Sequence, residues 1–145
     1  MKIFLVPPVE VDYLWDELKP LIDKAFRYQQ HIKADDLQTL IKNSRMYAWI
    51  ITEGDSIEAV FLCEFIHYPR KKSCYINAWS TKSGYDFDKY YKPTITEIEN
   101  FAKINGADFI EAQVRKGLAK KLKADGWEDN QSLVTRTLFK EEHHG

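Results

Sequence analysis

Apolar residues recur along the first part of the chain with helical spacing. Those at positions 15, 18, 22, 25 and 26 repeat every three or four residues, which predicts an amphipathic helix with Asp12 as its cap. Pro20 falls inside this pattern, and we expect it to kink the helix or to divide off its first turns. A short strand over residues 2–6 precedes the helix, and a shorter helix with Asp35 and Asp36 in its first turn follows it.

The middle of the chain has the composition of strands joined by tight turns. Apolar and β-branched residues dominate residues 46–52, 57–68 and 74–80. Turn-forming residues separate these three segments, at 53–56 and at 69–72. The pattern therefore predicts an antiparallel meander of three strands.

Helical spacing returns after the meander, from Phe87 to Ala102, and Gly106 is placed to end this helix in a left-handed cap. Pro93 interrupts the helix, so we expect its first turns to be irregular. The remaining pattern predicts a strand over residues 108–114, a short helix over 118–125 that is closed by Gly126, and a final strand over 133–139. A meander followed by a strand-helix-strand crossover predicts an α/β fold, with a mixed, mostly antiparallel sheet flanked by about four helices.

Length and composition indicate one soluble domain. The chain has 145 residues, 44% of them hydrophobic and 14% aromatic, which suits a single domain over residues 1–140 with a polar tail at 141–145. Lysine and arginine (21) nearly balance aspartate and glutamate (22), which argues against a dedicated nucleic-acid binder. The longest apolar stretches are far shorter than the roughly 18 to 20 residues of a membrane span, and the start lacks the features of a secretory signal. We expect a cytoplasmic protein.

Cys63 and Cys74 are the only cysteines, and each lies in a predicted strand without a nearby Cys or His partner for a zinc site. Buried free thiols in a reducing compartment are the favoured interpretation, and a disulfide is the alternative. The sequence contains no His-Glu-x-x-His, phosphate-binding P-loop or Gly-x-Ser-x-Gly pattern. Metal-dependent hydrolysis, nucleotide hydrolysis and serine-esterase chemistry therefore have no support, and no metal is expected.

Basic residues form two clusters that could bind an anionic partner. One is the compact run of Arg70, Lys71 and Lys72, and the other lies in the predicted helix near residues 115–123. If the sheet brings the clusters together, they make a positive groove suited to the phosphates of coenzyme A, to RNA or to an acidic protein. The alternative is that both are solvated faces of a turn and a helix.

Two segments of the second half resemble the GNAT superfamily of acyl-CoA-dependent N-acetyltransferases. Residues 101–110 (FAKINGADFI) resemble the end of that family's central helix and its fifth strand, and residues 118–128 (LAKKLKADGWE) resemble its closing helix and Gly-aromatic turn. The resemblance covers nearly the whole chain. Three further segments are similar to small divergent GNAT-like proteins of tailed bacteriophages: residues 68–71 (YPRK), 86–90 (DFDKY) and 115–118 (RKGL).

The resemblance implies acetyl-CoA as the acyl donor and an amine as the acceptor. In the family, the fourth and fifth strands splay apart around the pantetheine arm, and a glycine-rich turn before the central helix presents backbone amides to the pyrophosphate. That turn corresponds to residues 81–91, but residues 86–91 contain no glycine, and two aspartates there would face the phosphates with like charge. The resemblance therefore implies a degenerate pyrophosphate-binding loop, with Lys82, Ser83 and Gly84 as the remaining candidates to bind the cofactor.

The resemblance also implies roles close to the reacting atoms. A backbone amide near Trp79 or Ser80 is the candidate to stabilise the oxyanion, since the fourth strand opens there. Glu64 is the candidate general base, although an outward-facing strand residue is the alternative. Family members often place a tyrosine in the closing helix to protonate the leaving thiolate, and the matching position here is Leu122, or Lys121 if the register slips by one.

Two functions remain open at this point. One is an acyl-CoA-dependent N-acetyltransferase in the cytoplasm. The other is a catalytically inactive GNAT-fold phage protein that acts as a virion component or binds a host protein, with Arg70, Lys71 and Lys72 as the contact surface.

Overall fold

The computed structural model describes residues 1–27, 29, 31–131 and 133–139, which form two compact units, Met1–Val114 and Arg115–Gly145. The predicted single domain over 1–140 is not tested by this division, and the predicted tail at 141–145 lies outside the described residues. The first unit contains five strands and three α-helices, with a short 3-10 helix at Pro8–Glu10. Their bounds are β1 Lys2–Leu5, α1 Val11–Ala25, α2 Ala34–Lys42, β2 Tyr47–Glu53, β3 Ser56–His67, β4 Lys72–Thr81, α3 Phe87–Ile104 and β5 Phe109–Ala112.

The sheet has the order β1-β2-β3-β4-β5. The first three pairings are antiparallel, and β4 pairs with β5 in parallel, so that α3 is the crossover between them. The predicted meander and crossover are therefore confirmed, as is the α/β class with a mixed, mostly antiparallel sheet and four α-helices.

The two faces of the sheet carry different side chains. On one face, aliphatic residues such as Ile50 and Val60 join the core made by α1 and α2. The opposite face is largely aromatic, because Trp49 and Phe61 stack there with their ring centroids 5.7 Å apart, and Phe101 of α3 packs edge-on against Trp49. Since partners in adjacent strands share a face, the β2–β3 register assigns Ile50 and Val60 to one side and Trp49 and Phe61 to the other.

Two details of the first helix differ from expectation. Pro20 does not divide off the first turns, because α1 runs from Val11 to Ala25 with Pro20 inside it, and a kink at Pro20 stays a prediction. Asp12 does not cap the helix either, because its carboxylate accepts hydrogen bonds from Gln38 and Lys42 of α2. These bonds hold the two helices together, and the bond from Lys42 keeps the pKa of Asp12 below its usual value.

The third helix is also continuous where an irregular start was expected, since α3 contains Pro93 without interruption. It ends as predicted, with Gly106 in the left-handed region at a φ of 75° and its amide donating to the Lys103 carbonyl.

The second unit contains α4, Lys116–Ala124. Gly126 follows it with a φ of 90°, and its amide donates to the Lys123 carbonyl, which confirms the predicted glycine cap. The predicted strand over 133–139 is wrong: within the described part of the chain these residues are not in a strand, and their large apolar side chains are exposed. Strand propensity alone does not form a strand without a partner to complete its hydrogen bonds.

Candidate functional site

The central feature of the site is a free edge of β4. The parallel pairing with β5 covers only the first part of β4, from Ser73 to Ile76, because β5 ends at Ala112. β4 itself continues to Thr81, still paired with β3 on its other side. Among the described residues, no strand pairs with this edge over residues 77–81, so a backbone ladder is left open there.

A β-bulge lies where the two strands part. The β3–β4 register places Leu62 opposite Ala78 but Cys63 opposite Ile76, so Asn77 is the extra residue on β4. A bulge increases local twist and bends the strand that carries it, and this one lies directly beyond the last residue of β4 that pairs with β5. The side-chain amide oxygen of Asn77, Oδ1, is buried without a hydrogen-bond partner in the described part of the protein.

The hydrogen bonds to β3 fix which amides face the free edge. The Lys82 amide donates to the Glu58 carbonyl at 2.9 Å, which makes Thr81 and Ala59 a pair that exchanges no hydrogen bonds. Because the pattern alternates, Trp79 and Thr81 both direct their amide and carbonyl groups away from β3. The Lys24 ammonium of α1 is found on this edge, where it donates to the Thr81 carbonyl at 2.6 Å.

The side chains of the two β4 candidates are buried to different extents. Ser80 is 4% exposed, and its hydroxyl has no hydrogen-bond partner among the described residues. The Trp79 ring lies on the aromatic face and stacks on Tyr91 with an interplanar angle of 7°, while its indole nitrogen is likewise unpartnered. The feature that Trp79 offers to the free edge is therefore its backbone amide.

The start of α3 is occupied by the chain's own side chains. Asp86 is the N-cap, and its carboxylate accepts a hydrogen bond from the Lys89 amide at 3.2 Å. This bond satisfies one of the amides that a helix start would otherwise offer to an anion. The Asp86 charge also lies where a phosphate would approach.

Two tyrosines fill the space beneath this helix start. Tyr90 is buried and stacks on Tyr85 with their ring centroids 4.8 Å apart. The Tyr90 hydroxyl donates to Glu53 at 2.5 Å, and this hydrogen bond lowers the pKa of the Glu53 carboxyl. Burial raises the pKa of Tyr85, whose hydroxyl is therefore no source of a phenolate near neutral pH.

The other predicted cofactor-binding residues lie in the exposed turn between β4 and α3. Gly84 has a φ of 78°, so this position favours glycine. Ser83 is exposed beside it, and the Lys82 ammonium donates to the Ser56 hydroxyl at 2.7 Å. The structure thus brings Lys82, Ser83 and Gly84 together at the end of the free edge of β4.

Glu64 lies apart from this edge. It pairs with Tyr75 on β4 and belongs, like Val60 and Leu62, to the face that α1 and α2 cover. On β3, Glu64 is three positions from Phe61, the partner of Trp79, which is about 10 Å along a strand. Glu64 is half-buried, and a carboxylate there cannot contact an amine held beside the Trp79 amide.

The basic cluster of the β3–β4 turn is divided by the fold. Lys72 donates to the Asn105 carbonyl at the end of α3, and its ammonium lies 4.7 Å from the Phe65 ring centroid. Arg70 and Lys71 remain exposed. Of the three residues predicted to contact a partner protein, Lys72 is thus bound to the chain's own α3, and the contact surface itself stays a prediction.

Cys63 and Cys74 are free and fully buried on neighbouring strands. Proximity to the Cys74 thiol and burial raise the pKa of Cys63, so it is not an activated nucleophile. In the described part of the chain, no group of three or more His, Cys, Asp or Glu side chains is arranged to hold a metal ion. A search of the described helices finds none with the length and hydropathy to cross a membrane.

Comparison with known proteins gives a result for the fold alone. No family model and no curated sequence matches the chain. Among solved structures, the chain is similar to an aminoglycoside acetyltransferase from an uncultured soil metagenomic sample, with a TM-score of 0.75, 14% identity and coverage of 96% of this chain and 98% of that one. A second aminoglycoside acetyltransferase from such a sample was solved in complex with trehalose. It has a TM-score of 0.72 and 15% identity over 97% of this chain and 96% of that one.

A third solved structure, that of a predicted acetyltransferase from Clostridium acetobutylicum with acetyl-CoA, has a TM-score of 0.68 and 17% identity over 98% of this chain and 99% of that one. These identities are too low to carry activity or substrate from one protein to another. Together with the free edge of β4 beyond its bulge, they show that this chain has the fold of GNAT-type acetyltransferases.

Proposed function

We propose that the protein is an acyl-CoA-dependent N-acetyltransferase whose acyl donor binds along the free edge of β4. The observation that supports this most directly is the pair of backbone groups at that edge, the Trp79 amide and the Thr81 carbonyl, the second of which Lys24 would have to release when the donor binds. The pantetheine arm of coenzyme A contains two amides, which can pair with an exposed strand edge as a peptide does. The edge therefore fits the arm without requiring any particular side chain.

The reaction proposed at this edge transfers an acyl group to an amine. The neutral amine attacks the thioester carbonyl, the carbon–sulfur bond breaks, and coenzyme A leaves as its thiol. The Trp79 amide would donate to the developing oxyanion, and a preformed donor of this kind is commonly worth about 10²- to 10³-fold in rate. Leu122 holds no proton to donate to the leaving sulfur, so protonation from solvent is part of the proposal.

The proposal for Glu64 is narrower. Because it is about 10 Å along β3 from the residue opposite Trp79, it can remove the amine proton only through intervening water. Replacing Glu64 with glutamine should then lower the turnover rate without weakening coenzyme A binding. If turnover rate and coenzyme A binding fall by the same factor, Glu64 supports the folded structure rather than the reaction.

For the pyrophosphate, we propose the turn of Lys82, Ser83 and Gly84 rather than the start of α3. The turn is exposed and lies at the end of the free edge, whereas the α3 start is capped by the Asp86 carboxylate. Lys82 would have to leave Ser56 to contact a phosphate. Alanine at Lys82 or Ser83 should weaken coenzyme A binding, and unchanged affinity would remove that residue from the site.

Thermal unfolding in the presence of acetyl-CoA tests the function itself. A ligand that binds only the folded protein raises the melting temperature as its concentration exceeds the dissociation constant. We expect a shift with acetyl-CoA and with coenzyme A at millimolar concentration, and a smaller one with pantetheine, which lacks the nucleotide. No shift with any of several acyl-CoAs would overturn the proposal.

One observation favours a second candidate, a protein of this fold without catalysis. The Asp86 carboxylate already accepts a hydrogen bond from the Lys89 amide, one of the helix-start amides that a bound phosphate would need. In that case the protein would act by binding a partner through the exposed Arg70 and Lys71. The predicted resemblance to bacteriophage proteins implies the same kind of role. Charge reversal at both residues would abolish association with an acidic partner, and intact association would exclude this surface.

A further inference from the structure

A lysine already occupies the edge where the acyl donor is proposed to bind. Lys24 lies in the last turn of α1, and its partly buried ammonium donates to the Thr81 carbonyl at 2.6 Å. We propose that Lys24 is an acceptor of the acyl group, so that the protein acetylates its own α1 helix. This inference rests on the proposed function, because it needs a thioester along the free edge of β4.

The distances permit the transfer. Thr81 and Trp79 are two residues apart on β4, which places their edge-facing groups about 7 Å apart. A thioester oxygen bound by the Trp79 amide would be about 2.9 Å from that nitrogen, on the side toward the free edge. The Lys24 amine therefore has to move only a few ångströms from the Thr81 carbonyl, within the range of its four-carbon side chain.

Other described lysines near this part of the fold have partners that direct them elsewhere. Lys19 pairs with Asp35, and Lys89 pairs with Glu53. Lys82, the nearest along β4, donates to Ser56 on the opposite side of the strand from the free edge. Of these, Lys24 is the amine that the fold holds at the proposed acyl site.

The chemistry balances without any further reactant. The Lys24 ammonium loses one proton to water, and the neutral amine attacks the acetyl carbonyl of the acyl-CoA. A carbon–nitrogen bond forms, the carbon–sulfur bond breaks, and coenzyme A leaves as its thiol. The product is a neutral acetyl-lysine, which can no longer act as a charged donor to the Thr81 carbonyl.

Peptide mass spectrometry on the full chain after incubation with acetyl-CoA tests the inference. Lys19 lies on the same helix and is exposed, so it serves as the internal reference. The same protein unfolded in urea gives the intrinsic reactivity of both lysines. We expect the ratio of Lys24 to Lys19 acetylation to rise by about tenfold or more in the folded protein, because positioning raises the effective concentration of the amine.

A matched pair of variants completes the test. Lys24→Arg keeps a cationic donor for the Thr81 carbonyl but cannot form acetyl-lysine. The mass of the intact variant should therefore lack the first acetyl group that the native protein gains. Lys19→Arg should leave that acetyl group in place. Thermal stabilisation by coenzyme A, measured on the same samples, separates the two proposals.

Each outcome is decisive. Stabilisation by coenzyme A with Lys24 modified no faster than Lys19 overturns this inference and leaves the proposed function intact. Neither stabilisation nor preferential modification overturns both. Preferential acetylation that persists equally in urea would identify simple chemical reactivity and would also overturn the inference.

Discussion

The free edge of β4 and the start of α3 are neighbours in the fold, yet they differ in what keeps them available to a ligand. The edge is open because β5 stops pairing at Ile76, next to the bulge at Asn77. The helix start is closed to an anion because the Asp86 carboxylate caps it, and Tyr90 packs below it against Ile51 and Ala59 of the sheet. An edge made of backbone groups survives changes of sequence, whereas a phosphate cradle depends on small residues at particular positions.

The difference suggests how a protein of this fold can change function by stages. Substitution of glycine by larger residues at the helix start removes a phosphate contact but also adds buried surface, which stabilises the protein. The edge of β4 cannot be filled in the same way, since closing it requires another strand or a side chain such as Lys24. Acyl-arm binding can therefore persist after phosphate binding has weakened.

The largest expected effect concerns the closed side of the comparison. Replacing Tyr90 with alanine should lower the free energy of unfolding by about 3 to 5 kcal/mol, because it empties a buried aromatic site. Tyr90→Phe keeps the ring and loses only the hydrogen bond to Glu53, so it should cost about 1 kcal/mol. Urea unfolding of both variants measures the two losses in free energy of unfolding. Equal losses would mean that packing of the Tyr90 ring adds nothing to stability beyond its hydrogen bond to Glu53.

The N-cap gives the next effect. Asp86→Ala should lower the free energy of unfolding by about 1 kcal/mol, since the Lys89 amide loses its acceptor. Asp86→Asn keeps an acceptor but removes the charge, so it should retain most of the stability. If phosphates approach this helix start, Asp86→Asn should also bind coenzyme A several-fold more tightly than the native protein, as titration calorimetry can measure.

Binding that is the same in Asp86→Asn and in the native protein would contradict any approach of phosphate to α3. That result would sharpen the assignment of the pyrophosphate to the turn of Lys82, Ser83 and Gly84. A double variant with Lys82→Ala would then lose affinity by the same factor as Lys82→Ala alone.

The Glu53 carboxylate predicts a pH effect on stability. Its pKa is lowered in the folded state by the Tyr90 hydroxyl, so it stabilises the protein above its usual pKa of 4.5 and this contribution is lost as the pH falls through the lower folded value. The native protein should therefore lose stability below pH 4.5 more steeply than Glu53→Gln does. Acid unfolding followed by circular dichroism measures this, and parallel curves would show that the hydrogen bond does not favour the ionised carboxyl.

The smallest effect is expected at the open edge. The Ser80 hydroxyl is buried without a described partner, so Ser80→Ala should change the free energy of unfolding by less than about 1 kcal/mol and can even stabilise the protein. A loss well above that range would reveal a hydrogen bond essential to β4. Retained coenzyme A binding in this variant would support the assignment of binding to backbone groups rather than to the Ser80 side chain.

Local patterns predict most of the fold because helices and strands need only their own periodicity and turns. The meander, the long helix ending at Gly106 and the glycine cap at Gly126 follow from spacing and from residues that accept a positive φ. The errors occur where a tertiary contact overrides the local preference. The Asp12 carboxylate accepts a hydrogen bond from Lys42 of α2 instead of capping its own helix. Residues 133–139 have strand composition but are not in a strand.

The candidate site shows the same limit. The absence of glycine over 86–91 and the charge of Asp86 are visible in the sequence, but the buried position of Tyr90 and its hydrogen bond to Glu53 depend on contacts between distant segments. The bulge at Asn77 has no local signal, because it arises from a register shift between two strands. Lys24 could not be identified beforehand for the same reason.

The amino-acid order by itself thus determined the kinds of elements, their succession and the absence of glycine from residues 86–91. These are properties of neighbours along the chain, where spacing and backbone preference act. The three-dimensional arrangement decided which backbone groups of β4 remain without a strand and which amine reaches them. Those outcomes depend on where paired strands end and on which side chains meet across the sheet, and neither is encoded in any short segment.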